Sequence, residues 1–98
     1  MKILAHETEI MGITEDQFTP ELLKEEALRA WELYQAGIIR EIYFREDRNE
    51  AIIILECDSI ASAEDAINSL PLVKAGLIKF EITRLLPYDG FKRLFAFE

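Results

Sequence analysis

Residues 38–57 read Ile-Ile-Arg-Glu-Ile-Tyr-Phe-Arg-Glu-Asp-Arg-Asn-Glu-Ala-Ile-Ile-Ile-Leu-Glu-Cys, two β-branched and aromatic runs around a polar break. Such side chains pack well on a pleated surface, so the stretch predicts a β-hairpin. The expected loop is Asp47, Arg48 and Asn49, with Asn49 in the left-handed conformation that Asn tolerates better than most residues. That loop sets Arg40 opposite Glu56, Ile42 opposite Ile54 and Phe44 opposite Ile52. A two-residue loop would instead bring Glu41 against Glu56, and like charges directly opposite destabilise a sheet. In the preferred register one face carries Ile42, Phe44, Ile52 and Ile54, with an Arg40–Glu56 pair at its far end. The other carries Ile39, Glu41, Tyr43, Arg45, Ala51, Ile53, Leu55 and Cys57. Both faces are largely apolar, so the hairpin is expected to be covered on both sides.

Upstream of the hairpin, Lys2–Glu9 alternates loosely and reads as a first strand, with Leu4, His6 and Thr8 on one side and Ile3, Ala5 and Glu7 on the other. A polar loop, Ile10–Thr19, leads to Thr19-Pro20-Glu21, a helix start with a capping hydroxyl, a proline in the first turn and an acid near the positive end of the dipole. The spacing predicts a helix from Pro20 to about Gln35, closed by Gly37. Leu23, Ala27, Ala30 and Tyr34 form its expected buried stripe, flanked by Glu26 and Leu33 on one side and Trp31 on the other. Downstream, Ser59 and Ser62 are two capping serines, and Ser62 with Asp65 resembles a capping box. The second helix should bury Ala63, Ala66, Ile67 and Leu70 and stop at Pro71. Leu77–Leu86 is the last strand, alternating through Ile78, Phe80 and Ile82. After the turn at residues 87–90, a tail carries Phe91, Leu94, Phe95 and Phe97.

The order β-α-β-β-α-β is the split βαβ, ferredoxin-like arrangement: an α+β fold with a four-stranded antiparallel sheet and two helices on one face. The whole chain, residues 1–98, is expected to form one domain, with residues 89–98 as an intersubunit tail. Two helices cover one sheet face and leave the other bare, so self-association through the open face is expected, as a dimer or a higher oligomer. A solvated open face is the alternative.

Composition narrows the partners. Nineteen acidic against eleven basic residues give a formal charge of −8, whereas binding to phosphate backbones calls for a basic surface. Nucleic acid is therefore not an expected partner. The single cysteine, Cys57, precludes an internal disulfide and suits a reducing cytoplasm. No apolar run nears the roughly 20 residues of a membrane span, and the first residues lack the apolar core of a secretion signal. A cytoplasmic location, away from membranes, is the expectation.

From Ala36-Gly37 through Arg40 and the hairpin, then Asp58-Ser59, the second helix, Leu70-Pro71-Leu72 and the last strand, the chain resembles the muconolactone isomerase family within the dimeric α/β-barrel group. The resemblance spans roughly the last two-thirds of the chain; the first strand and helix match in outline. It implies a dimeric barrel without metal or organic cofactor that shifts a ring double bond, and assembly as dimers or larger oligomers. Related barrels include monooxygenases, dehydrochlorinases and binding proteins. Ile39, Glu41 and Phe44 depart from the aromatic-rich strand positions of the isomerases.

Moving a double bond in an unsaturated lactone requires a base that takes a proton beside a carbonyl and returns it elsewhere, with a pKa raised toward neutrality. Glu26, beside the helix stripe, and Glu41, beside Tyr43 on a face that would lie under the helices, are candidates. His6 is the third, the only side chain here with an ordinary pKa near neutrality. Trp31 and Tyr43 are candidate pocket walls, and Arg40 a candidate for holding a substrate carboxylate. Each has a plain structural alternative: a solvated Glu, a salt bridge, a packed aromatic. One His and one Cys without ligand spacing speak against a metal site, and Cys57 reads as an inert buried thiol. The chain is thus read as an isomerase-like protein moving protons, without a cofactor, on a small organic acid or lactone. A non-catalytic ligand-binding or scaffold barrel and a cofactor-free monooxygenase are the alternatives.

Overall fold

The computed structural model describes residues 1–95. In chain order they form β1 (Lys2–Thr8), α1 (Pro20–Gln35), β2 (Ile39–Phe44), β3 (Ala51–Glu56), α2 (Ile60–Asn68), α3 (Pro71–Lys74) and β4 (Lys79–Leu85). Short 3₁₀ segments occupy Glu15–Gln17 and Gly90–Phe95. The strands make one antiparallel sheet in the order β2-β3-β1-β4. This is the expected ferredoxin-like α+β arrangement.

The helix boundaries follow local chemistry. The Thr19 hydroxyl accepts the Leu22 N–H at 3.2 Å, Pro20 occupies the first turn, and Gly37 leaves α1 at φ +78°. Ser59, rather than Ser62, caps α2, accepting the Ser62 N–H at 3.0 Å. Pro71 ends α2 as expected but also opens the one-turn α3, because proline suits a first helical position.

The core lies between the sheet and the helices. Ile3, Ala5, Ile53 and Leu55 meet Leu33 of α1 and Ile67 of α2, all within 2% of full burial. The second-helix stripe is as expected, with Ala63, Ala66, Ile67 and Leu70 buried. On α1 the stripe is displaced by roughly a quarter turn. Leu33 is buried, with Leu22, Glu26 and Ala30 half-buried, while Leu23, Ala27 and Tyr34 are exposed along with Trp31. Apolar residues one position apart, Leu22 with Leu23 and Leu33 with Tyr34, offer two candidate stripes, and packing against α3 and the sheet chooses between them.

The hairpin register also differs from the expected one. Glu41 pairs with Ile54, Ile42 with Ile53, Tyr43 with Ile52 and Phe44 with Ala51, with a bulge at Arg40 that returns Ile39 to Leu55. The loop is four residues, 46–49, closed by the Arg45 N–H donating to the Glu50 carbonyl at 3.0 Å. Asn49 has no positive φ. A one-residue slip exchanges the faces. Ile42 and Phe44 now share the helix side with Ala51 and Ile53, and Glu41 and Tyr43 share the open side with Ile52 and Ile54. The expected Arg40–Glu56 pair does not form: Glu56 is held by the Met1 amino group, and Arg40 Nε donates to the Gly37 carbonyl at 2.6 Å.

Across the open face, Tyr43, Ile52, His6 and Glu81 form one rung, and Glu41, Ile54, Leu4 and Thr83 the next. Beyond β4 the chain leaves the body as an arm. Leu86, Tyr88, Phe91, Leu94 and Phe95 are each at least 66% exposed. The radius of gyration, 16.4 Å, exceeds the roughly 13 Å of a compact chain of this length. Within the arm, Tyr88 stacks edge-on against Phe91 at 4.9 Å and covers Gly90, where a Cβ would collide with the phenol. Residues 96–98 of the expected tail lie outside the described residues.

Candidate functional site

Where β1 ends, the ladder to β3 stops at His6–Ile52, and the Ala51 N–H that faces β1 has no strand partner. The Glu7 side chain, on the helix side after Ile3 and Ala5, takes that N–H on Oε1 at 2.9 Å. Glu7 also lines a cleft of about 650 Å³. The cleft opens between the β1 terminus, the loop before α1, the hairpin turn and the α3–β4 connection. Phe18, Leu23, Phe44, Leu72, Leu77 and Ile78 supply apolar wall.

Burial pushes the Glu7 carboxyl above its ordinary pKa, against the lowering effect of the Ala51 N–H, and the Glu50 and Glu26 carboxylates add to the rise. Glu50 is 7% exposed and lines the same cleft. Its Oε1 lies 3.6 Å from Arg45 and 3.9 Å from Arg48, so two guanidiniums from the hairpin turn offset its burial. An apolar cleft with a few convergent polar groups and a perturbed carboxyl is the usual form of a small-molecule site.

The six residues marked by the sequence do not line this cleft. Glu26 comes nearest. Its Oε1 accepts the Leu72 N–H at 2.9 Å, tying α1 to the start of α3, and burial raises its pKa against that hydrogen bond. Glu26→Ala is expected to cost about 1–3 kcal/mol by leaving the Leu72 N–H unpaired, and Glu26→Gln much less; urea denaturation of both variants checks this. His6 is on the open sheet face, with Nε2 3.1 Å from Glu81 Oε2. Glu41 and Tyr43 are also there, and the Tyr43 hydroxyl donates to Glu41 Oε1 at 2.9 Å. Trp31 is 56% exposed on α1, 5.8 Å from the Tyr34 ring, and Arg40 is held at the bulge. Burial pushes the Cys57 thiol up, with neighbouring carboxylates adding to it.

Glu7 and Glu50 were missed, although a signal existed for the first. Ile3, Ala5 and Glu7 alternate onto one face, so a carboxylate ends an apolar run that enters the core. Glu50 becomes buried through the turn geometry, which one-dimensional spacing does not carry. Among the described residues, no three His, Cys, Asp or Glu side chains are grouped to hold a metal ion. No helix among them is long and apolar enough to cross a membrane.

Fold and site together define a two-layer α+β protein with an open sheet face and a carboxylate-floored cleft at one end of its helix–sheet layer. Solved structures share that fold. Muconolactone isomerase superposes with a TM-score of 0.75 at 17% identity, covering 91% of this chain and 92% of that one. A 5-chloro-2-hydroxyhydroquinone dehydrochlorinase from Burkholderia phenoliruptrix, in complex with 2,5-dihydroxybenzoquinone, gives 0.62 at 16%, covering 88% and 94%. No family model and no curated protein sequence matches the chain.

Proposed function

We propose that the protein binds a small, partly apolar organic acid or lactone in this cleft and moves a proton within it, with Glu7 as the base. The carrying observation is the Glu7 carboxyl, anchored by one oxygen to the Ala51 N–H at the edge of an apolar cleft. A fixed carboxylate with a raised pKa is a better proton acceptor than an exposed one at neutral pH. It takes the proton from the carbon between a carbonyl and a double bond. The double bond shifts into conjugation, and the proton returns at the far carbon. The fold shared with an isomerase and a dehydrochlorinase supports this reading by analogy.

The test is the conversion of α-angelica lactone to β-angelica lactone in deuterium oxide, followed by NMR. Protein-dependent conversion with deuterium entering the ring is expected. Binding of the lactone without exchange would replace the enzyme reading by that of a ligand-binding barrel.

A second copy of the chain is the proposed partner. Leu4, Ile52, Ile54 and Leu85 are only half-buried on the open face, and the apolar arm is exposed among the described residues. Deleting residues 91–98 is expected to lower the oligomeric state or to raise dye binding to exposed apolar surface, as read by light scattering and dye fluorescence. An unaltered oligomer with unaltered dye binding would show that the arm takes no part.

A further inference from the structure

The charge of the cleft narrows its ligand. Glu7, Glu9, Glu15 and Glu50 line it against one lining guanidinium, Arg48, a formal charge of −3, and Arg45, which reaches Glu50 from behind at 3.6 Å, is shared with Asp47. Arg48 is already drawn to Glu50 at 3.9 Å and is more than half exposed, so it is a poor anchor for a further anion. Glu9 and Glu15 stand at the mouth as exposed carboxylates with no ion-pair partner among the described residues. Low-dielectric walls strengthen the field of such a set. We propose that the cleft selects an uncharged ring compound, a lactone or enone, and rejects the same ring bearing a carboxylate. This deepens, and rests on, the reading of the cleft as a ligand site, and decides between its two substrate classes.

The proton-transfer step agrees with that selection. When Glu7 takes a proton from a neutral lactone, one negative charge passes from the carboxylate to the enolate, and the cleft's total is unchanged. A substrate carboxylate would add a charge that nothing in the cleft offsets.

The experiment is a pair of NMR titrations at neutral pH, with β-angelica lactone and with the same ring carrying a carboxymethyl group in place of the methyl. The neutral lactone is expected to bind at least about tenfold more tightly. The advantage should shrink by at least about threefold in high salt, and likewise in the Glu9→Gln, Glu15→Gln double variant, whose fold is checked by circular dichroism. Equal or tighter binding of the carboxylate would overturn the charge selection while leaving the cleft a ligand site. Binding of neither ring, by folded protein, would overturn the ligand-site reading and this inference with it. Tight binding of the neutral ring without deuterium exchange would uphold the selection and remove only the catalytic reading.

Discussion

Glu7→Gln is expected to cut conversion of α-angelica lactone by about 10²–10⁴-fold and at the same time to raise the melting temperature at neutral pH by a few degrees. Glutamine keeps an oxygen for the Ala51 N–H but has no charge to bury and no repulsion from Glu50 and Glu26. Loss of activity with gain of stability distinguishes a base held at a cost from a residue that merely supports the fold. The pH dependence has a definite sign. Folding raises the Glu7 pKa, so the stability tied to its proton is complete below the unfolded value and is lost as pH rises through the folded one. Glu26 acts in the same direction. The melting temperature of the native protein should therefore fall as pH rises out of the ordinary carboxylate range toward neutrality, and fall less in the Gln variant. Glu56 and Asp47, whose pKa values are lowered by the Met1 amino group and by Arg45, lose stability only at more acid pH, outside that window. Undiminished conversion by the Gln variant would dismiss Glu7 as the base.

The second large effect concerns the core. Ile53 is 1% exposed and faces the helices, whereas Ile52, its neighbour in β3, is half-buried on the open face. Ile53→Ala removes buried methyl groups and leaves a void, for an expected loss of about 2–5 kcal/mol. In a chain of this size each kcal/mol moves the melting temperature by roughly 4–8 °C. Ile52→Ala is expected to cost clearly less of chain stability and to act on self-association instead. Urea denaturation of the two variants, with light scattering alongside, reads both effects. A larger folding cost at Ile52 than at Ile53 would reverse the assignment of the sheet faces.

These two residues also show how far the sequence could be read. Ile52, Ile53 and Ile54 are three identical side chains in a row. A period of two gives a register only when one face is polar, and here neither is. Repulsion between Glu41 and Glu56 excludes a two-residue loop but does not choose between loops of three and four residues, and the four-residue loop sets Glu41 opposite Ile54. From that one slip follow the misplacement of Glu41 and Tyr43 and the loss of the Arg40–Glu56 pair. The α1 stripe failed for a related reason. With Leu22, Leu23, Leu28, Trp31, Leu33 and Tyr34 distributed around the helix, spacing alone does not name the buried side.

The sequence by itself determined the element order, the antiparallel α+β fold, the start of α1 at Thr19-Pro20, its end at Gly37, the stripe of α2 and the alternation of β4. Each rests on chemistry local in the chain: a capping hydroxyl, a proline's missing N–H, a glycine's freedom at positive φ, a clean polar-apolar period. Tertiary structure alone decided the hairpin register, the face of α1 that is buried, and the gathering of Glu7, Glu50 and Arg48 at one cleft. Those depend on which surfaces are left unsatisfied when sheet and helices close on each other, and that is a property of the packed layers rather than of any stretch within them.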